Sequence, residues 1–396
     1  MKSMLTEKSG GRLIGIDALR GIAALFVVLY HGVGHYATPA EGFFNLFALP
    51  LQILFSYGYA GVFLFFVISG FCIHLQWARA RAAGVDYEIN FRAFWKRRLR
   101  RLYPPYLFAL ALYLGIALYT SEIDFTHFFF YDLVMHLLML HNLDPHTCYS
   151  INGVFWTLAI EEQLYLAYFL LLFIRIRWGW ASALFVCIAA RLGWYLLSYF
   201  AYRAFKVGIP VPEAAASYWF TWALGAISVE AAFGLIKLPA WCRNLWVGAA
   251  ALLCAIGLSH ALPTLNQEGI VHRLGWLALH PSWGVAFFVL VNWIVKAEAR
   301  WRERQSVPDM ISRLAYIGVF SYSLYLTHQL VIMASWRYVV GGWSSMMNNL
   351  FVVAPLSIAF AWFFFWFCER PYMKPAAAKT KFASSNITAA QDTASA

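Results

Sequence analysis

Runs of about twenty apolar residues recur along this chain from residue 13 to residue 368. A helix that crosses a bilayer needs roughly 20 mostly apolar residues, and inside hydrocarbon the backbone must satisfy its own hydrogen bonds. Runs of this length therefore read as membrane-spanning helices. The candidates are residues 14–36, 51–77, 104–120, 154–174, 180–200, 216–236, 244–262, 274–295, 314–336 and 348–368. Composition agrees: 62% of the residues are hydrophobic and 12% charged, about half the charged share of soluble domains. A chain this apolar cannot wrap its core in a polar surface, so lipid is its solvent. The expected fold class is all-α, a polytopic transmembrane bundle of about ten helices.

The net charge of +11 suggests nucleic acid until its placement is considered. With the N-terminus in the cytoplasm, 24 of the 30 Lys and Arg fall in six cytoplasmic clusters. These are Lys2 to Arg12, Arg79 to Arg101, Arg175 and Arg177, Lys237 and Arg243, Lys296 to Arg313, and Arg370 onward. The outer connections hold mainly Glu41, Glu122, Asp124, Asp132, Asp144, Glu213 and Glu268. That is the positive-inside pattern rather than a nucleic-acid groove, and it predicts both termini in the cytoplasm. Residues 1–13 then form a short cytoplasmic N-terminus, 14–373 the membrane domain and 374–396 a disordered tail. The first run is longer than a signal-peptide core and lacks a cleavage site, so it is read as a retained helix. Residues 128–143 are apolar but too few to span, and they hold Asp132, His136 and His141. Counting them as a span would invert every later connection. They are read as an interfacial or re-entrant element of a long outer loop, 121–153, either a substrate-contacting lid or a packing lid. Only Cys148 of the six cysteines falls outside the cytoplasm and the membrane, so no disulfide framework is expected. No zinc-ligand spacing appears, and the pair His31 and His35 lacks a third ligand.

Ionisable groups at membrane depth are costly and mark function. The first run holds Asp17, Arg20 and His31. Arg20 and His31 are eleven residues apart, within about 20° of three full turns and about 16 Å along the axis, so they share a face. Asp17 is one turn from Arg20 and positioned to pair with it. The fourth run carries Glu161 and Tyr165 on one face, with Glu162 turned about 100° away. The ninth carries Ser321, Tyr322, Tyr325 and His328, the last two neighbours at i, i+3. Counted from the outer ends, His31, Glu161 and His328 lie roughly 8, 10 and 12 Å into the membrane. Convergence of three helices at one level predicts a buried site there.

The chemistry such a site suits is proton withdrawal. A neutral imidazole is a general base near neutral pH, and a carboxylate can orient it. Acyl transfer from a thioester to an alcohol needs such a base, because a sugar hydroxyl is a poor nucleophile until its proton is withdrawn. His31 is assigned as the base and Glu161 as its supporting carboxylate, with Tyr165, Tyr325 and His328 as substrate-site candidates. Arg20 cannot be a base. It can bind an anion or hold a hydrogen-bond network. In the densest basic run, residues 94–104, Arg98 and Arg101 form one helical face. Their forks suit phosphate oxygens, as in the pyrophosphate and 3′-phosphate of coenzyme A. A topology anchor or anionic-lipid contact is the other reading of those two residues.

Several segments together resemble the acyltransferase-3 family of membrane acyltransferases. They are Ile16-Asp17-Ala18-Leu19-Arg20-Gly21 with His31 following, Phe65 to Phe71, Arg98-Leu99-Arg100-Arg101-Leu102-Tyr103-Pro104, Trp156 to Tyr165, Ser321 to His328, and Glu369-Arg370-Pro371. Each is weak alone; six in order are specific. Thr157 stands where the family usually has Ser. The resemblance implies a stand-alone ten-helix domain of a bacterial inner membrane that O-acylates envelope glycans. It implies acyl-CoA, in the commonest case acetyl-CoA, as donor, a carbohydrate hydroxyl as acceptor, and no metal. It points to His31 as the essential histidine, Arg20 as its motif partner, and Arg98 and Arg101 as donor-side residues. A secondary transporter of an anionic or acylated solute is the alternative, since intramembrane Arg and His also suit a translocation path. Against it, the two halves show no repeat with interrupted spans at matching positions. A non-catalytic scaffold would leave the aligned ionisable groups unexplained.

Overall fold

The structure is a computed structural model that describes residues 13–34, 45–120, 126–265, 270–335 and 345–373. The N-terminal basic cluster, His35, Glu41, Glu122, Asp124, Glu268 and the tail 374–396 lie outside the described residues. The described chain is helical: α1 (Ile14–Leu29), α2 (Asn45–Ser56), α3 (Gly61–Ala82), α4 (Phe91–Tyr119), α5 (His127–Leu137), α6 (Trp156–Phe205), α7 (Ala215–Ala232), α8 (Leu245–Ala261), α9 (Ile270–Glu303), α10 (Asp309–Val319), α11 (Ser321–Ser335), α12 (Ser345–Asn348) and α13 (Ala354–Phe364). Among the described residues seven helices are long and apolar enough to cross a membrane, or eight if the bent pair α10–α11 is one span.

Seven or eight of the ten expected crossings are thus met by length and apolarity. Helix α6 has 50 residues, a length of about 75 Å against a hydrocarbon core of about 30 Å. Gly179 breaks it with φ 84°, a left-handed conformation that glycine alone adopts without strain, so α6 is two limbs. Helix α7 adds 18 residues, nearly all buried among its neighbours. Side chains on the second limb of α6, such as Phe185, Leu197 and Phe200, are exposed, as a lipid-facing surface requires. The multi-pass membrane protein read from the runs is thus what the chain forms. Its connections fall at two ends. One, the basic end, carries 83–90, 178–180, 233–244 and 304–308. The other, the far end, carries 138–155 and 206–214.

Three boundaries differ from the runs. Helix α4 begins at Phe91 rather than 104 and passes through Pro104 and Pro105, so the arginines 98 and 101 are on the same helix as the span instead of ahead of it. The ninth run is not one straight helix: α10 and α11 meet at 72°, and Glu369 accepts from Ser323 N and Oγ (3.2 and 2.5 Å) at the start of α11. The segment read as interfacial contains the eleven-residue α5, about half the length of a span.

Close backbone approach sets the packing around the site. A Cβ on Gly70 of α3 would stand 1.9 Å from the Trp222 carbonyl, and one on Gly225 of α7 would stand 1.9 Å from the Val67 carbonyl. Small residues at such crossings let membrane helices meet where apolar burial gives no driving force. Helix α1 is fixed at its start by Glu298 of α9, whose carboxylate accepts from Ile14 N and Gly15 N at 3.1 and 3.0 Å, filling donors that a helix N-terminus leaves open.

Candidate active site

A cavity opens between α1, α3, α4, α6 and α11. Its charged residues are Arg20 of α1, Arg98 and Arg101 of α4, and Glu161 of α6. Tyr165 lies a turn beyond Glu161, Ser321 and Tyr322 come from the buried start of α11, and Thr157 with Tyr325 close the part nearest the far end. The bend at α10–α11 is what brings Ser321 to the cavity wall. Tyr322 OH reaches across to donate to the Leu102 carbonyl at 3.0 Å, beside the two prolines of α4.

The arginine side is built for an anion. Arg20 pairs with Asp17 at 3.8 Å, one turn earlier on its own helix. Arg98 lies over the rings of Phe94 and Tyr165 at 5.4 and 5.6 Å, which orients the guanidinium by cation–π attraction. Its Nε is buried and finds no hydrogen-bond partner among the described residues. A buried donor of this kind is costly unless something accepts from it.

Glu161 does not meet His31. Its Oε1 accepts from Ser69 Oγ at 2.9 Å and from Tyr165 OH, and Ser69 Oγ in turn accepts from Trp222 Nε1 at 3.2 Å. Ser69 is eleven residues from Gly58, which packs against Phe26 and Tyr30 beside His31; that is about 16 Å of helix. Glu161 therefore sits at the level of Arg20. The expectation of one common depth fails because α6 starts deep: Met139, His141, Asn142, Thr147, Asn152, Val154 and Phe155 are all buried. The 138–155 connection occupies the outer layer that a flush helix end would have filled.

The group that does meet His31 is His328. His31 Nδ1 lies 2.9 Å from the Val27 carbonyl and 3.2 Å from His328 Nε2. His328 Nδ1 lies 2.8 Å from the Tyr325 carbonyl. A carbonyl only accepts, so Nδ1 of each ring carries hydrogen, and in the neutral pair His328 Nε2 accepts from His31 Nδ1–H. The lone pair of His31 then resides on Nε2. His328 is fully buried, and its ring lies 5.8 Å from that of Tyr325. Tyr325 OH accepts from Thr157 Oγ1 at 2.7 Å and donates to the Val154 carbonyl at 3.1 Å. Tyr325 thus stands between the cavity and the histidine pair.

Of the residues singled out in the sequence, Arg20, Arg98, Arg101, Glu161, Tyr165 and Tyr325 share one cavity, while His31 and His328 form a pair beyond it. Ser69, Cys72 and Glu369 were given no role in the site, though Ser69 and Glu369 fall in the segments of the family resemblance. Ser69 was visible as the only hydroxyl in an apolar run of α3, and Glu369 as a carboxylate ending the last run. A second buried network also escaped notice: His74 Nε2 meets Glu230 Oε1 at 2.9 Å, and Arg175 clasps both oxygens of Glu230 at 2.7 Å. It ties the Gly179 elbow to α7. Among the described residues no three His, Cys, Asp or Glu gather as a metal site would require.

A bundle of membrane-spanning helices enclosing a cavity lined by three arginines and Glu161 defines a membrane protein with a charged site at depth. The chain belongs to the acyltransferase-3 family, whose profile, described as an acyltransferase domain, matches residues 13–366. It is thus a multi-pass membrane acyltransferase. Among its relatives is the ORF330 protein of Acidianus two-tailed virus, named for an acetyltransferase: 27% identical over 325 residues, 80% of this chain and 82% of the relative. YrhL of Bacillus subtilis (strain 168), named for peptidoglycan O-acetylation, is 31% identical over 163 residues, 38% of this chain and 22% of the relative. O-acetyltransferase OatA of Staphylococcus aureus (strain NCTC 8325 / PS 47) is 30% identical over 177 residues, 39% of this chain and 24% of the relative. The matches to these last two span about a quarter of their lengths. No solved structure matches the chain significantly.

Proposed function

We propose that this protein transfers an acyl group, acetyl by analogy with the relatives' names, from cytoplasmic acyl-CoA to a hydroxyl of an extracytoplasmic or lipid-linked carbohydrate. The observation that carries this reading is the order of groups along one path: three arginines, a cavity, Tyr325, then the His31–His328 pair. The basic end faces the cytoplasm by the positive-inside rule. The phosphates of the donor sit on Arg98 and Arg101, with Arg20 at the cavity wall and Glu161 offsetting the concentration of positive charge. The pantetheine arm extends through the cavity and carries the thioester toward the histidines. The span from Arg20 to His31, about 16 Å, suits a thin, extended arm.

His31 Nε2 takes the proton of the acceptor hydroxyl as its oxygen attacks the thioester carbonyl. The tetrahedral intermediate collapses, the C–S bond breaks, and the coenzyme A thiolate leaves and recovers the proton from the imidazolium. His328 supports the base in the place first given to Glu161. As a neutral acceptor it fixes the His31 tautomer, and it shares the imidazolium charge through the Nδ1–H contact.

The test is acyl transfer by purified protein in nanodiscs, with acetyl-CoA as donor. His31→Ala lowers transfer by about 10²–10⁴-fold, the worth of a general base, and leaves the protein folded and acetyl-CoA bound. His328→Ala lowers kcat and shifts the acid limb of the pH profile, where the base becomes protonated. Full activity of His31→Ala rejects the base. Solute uptake into proteoliposomes without acyl product moves the reading to a transporter.

A further inference from the structure

At the far end of the bundle a second depression, of about 200 Å³, lies between the 144–149 connection and the 206–213 strap. Both walls are held by side chains. On the strap, Trp194 Nε1 donates to the Pro210 carbonyl at 2.9 Å, Ser198 Oγ to that of Ile209 at 2.8 Å and Ser217 Oγ to that of Val211 at 2.6 Å. On the connection, Asp144 Oδ1 accepts from His146 N at 2.8 Å, and Thr147 Oγ1 donates to the His141 carbonyl at 2.8 Å. The walls are joined by Asn142 Nδ2, which donates to the Glu213 carbonyl at 2.9 Å, and by Tyr149 OH, which donates to the Glu213 carboxylate. Two loops from different helix pairs are thus clamped into a fixed shape, and a preorganised site binds without an ordering cost.

The chemistry of the depression is selective. Tyr149 is 50% exposed although its hydroxyl is fixed, so its ring presents an immobile apolar face. Trp156 stands behind it at 6.5 Å. Glu213 is the one charged residue of the lining, and a carboxylate that already accepts one hydroxyl has lone pairs for more. An aromatic face beside a carboxylate matches a pyranose ring, apolar on its C–H face and rich in hydroxyl donors at its edge. It repels phosphate, which sets this depression apart from the arginine-rimmed cavity and from an anionic lipid site.

Its position places it within reach of the histidine pair. Four residues beyond Tyr149 is Gly153, and a Cβ there would stand 3.5 Å from the Gln329 side chain, the residue after His328. Four residues of chain reach at most about 14 Å. An acceptor of several sugar units with one hydroxyl at His31 can therefore also reach Tyr149.

We propose that the depression between the 144–149 connection and the 206–213 strap is an acceptor subsite that holds a carbohydrate unit remote from the one being acylated, so that the acceptor is an oligo- or polysaccharide. This rests on the acyltransferase reading. The experiment uses the full chain in nanodiscs and reads two signals: saturation-transfer NMR with chitotetraose, maltotetraose and monomeric N-acetylglucosamine, and coenzyme A release from acetyl-CoA without acceptor. At least one tetrasaccharide binds. Tyr149→Ala and Glu213→Gln weaken it by about tenfold or more, equivalent to 1.4 kcal/mol, while Tyr149→Phe, which keeps the ring, stays within a few-fold of wild type. Binding of the monosaccharide and coenzyme A release are unchanged. The proposal is overturned if neither tetrasaccharide binds, if Glu213→Gln (nearly isosteric, and so a check should Tyr149→Ala misfold) and Tyr149→Ala leave binding intact, or if monomer and tetramer weaken alike. Loss of transfer in His31→Ala with carbohydrate binding retained separates this subsite from the reaction centre. Carbohydrate binding by a wild-type chain that never transfers acyl groups would retain the subsite and reject the enzyme.

Discussion

Single side chains decide how the far end responds to acid. His136 and His141 stack with ring centroids 4.1 Å apart and planes 4° from parallel, both fully buried, with Asp132 Oδ1 at 3.0 Å from His136 Nδ1. Burial, and then the neighbouring His136, push His141 down from its ordinary 6.5 to about 3. As pH falls through 6.5 the unfolded ring takes up a proton that the folded ring refuses until about pH 3. The stability this ring contributes is therefore full above pH 6.5 and lost progressively toward pH 3. Protection factors of the 141–153 amides, with the pH dependence of intrinsic exchange divided out, should fall between pH 6.5 and 4.5, and His141→Phe should remove that dependence; an unchanged profile would show that the stack is not the cause. The sequence marked His136 and His141 as odd within an apolar stretch, but nothing in their spacing of five revealed that they stack. Likewise helical spacing gave the faces of Arg20, Glu161 and Tyr325 correctly. It could not give the partner of His31, because which helix lies beside which, and how deep each starts, is set by loop packing and not by periodicity.

At the scale of elements the bundle depends on two helices meeting backbone to backbone. Gly70 and Gly225 allow α3 and α7 to touch at the level of Ser69 and Trp222, which positions the Ser69 hydroxyl for Glu161. A methyl at either glycine would overlap a carbonyl that cannot rotate away. Overpacking of this kind costs about 1–3 kcal/mol even where side chains can yield, and here only the helices can. Gly225→Ala should lower thermal stability in detergent and weaken acetyl-CoA binding together, whereas Gly257→Ala, with open space around its would-be Cβ, should change neither. Equal tolerance of both would mean that α3 and α7 slide freely. The spans were legible from run length because the bilayer imposes it, although among the described residues seven or eight, not ten, meet the length and apolarity of a crossing. The break at Gly179 was legible too, since one run ends at 174 and the next begins at 180, whereas Pro104 and Pro105 fail to interrupt α4, whose run was started at 104. A helix at membrane depth keeps its course through proline when neighbours supply partners for the freed carbonyls. The bend before Ser321 falls at Phe320, two residues after Gly318, and no proline marks it. It is accommodated by Glu369, forty-six residues away in sequence, which receives the donors at the start of α11.

Across the whole molecule the two depressions differ in charge, three arginines with Glu161 lining one and Glu213 the other. That asymmetry is what a transfer across the membrane requires, a phosphate-bearing donor on one side and a neutral, hydroxyl-rich acceptor on the other. It makes orientation the decisive property. In inside-out vesicles, where the cytoplasmic face is outward, acetyl-CoA should support acylation when added to the bulk, and in right-side-out vesicles it should not. A cysteine introduced at Asp86 should react with a membrane-impermeant maleimide only in the inside-out vesicles, and one introduced at His146 only in the right-side-out ones. Arg98→Ala with Arg101→Ala should raise the KM for acetyl-CoA while sparing that for the acceptor, because these guanidiniums are on the donor side of Tyr325. A double variant that changed only the acceptor KM would show that these two arginines do not hold the donor. The arrangement as a whole would fail if both cysteines reacted from one face, since donor and acceptor would then share a compartment and no path through the bundle would be needed.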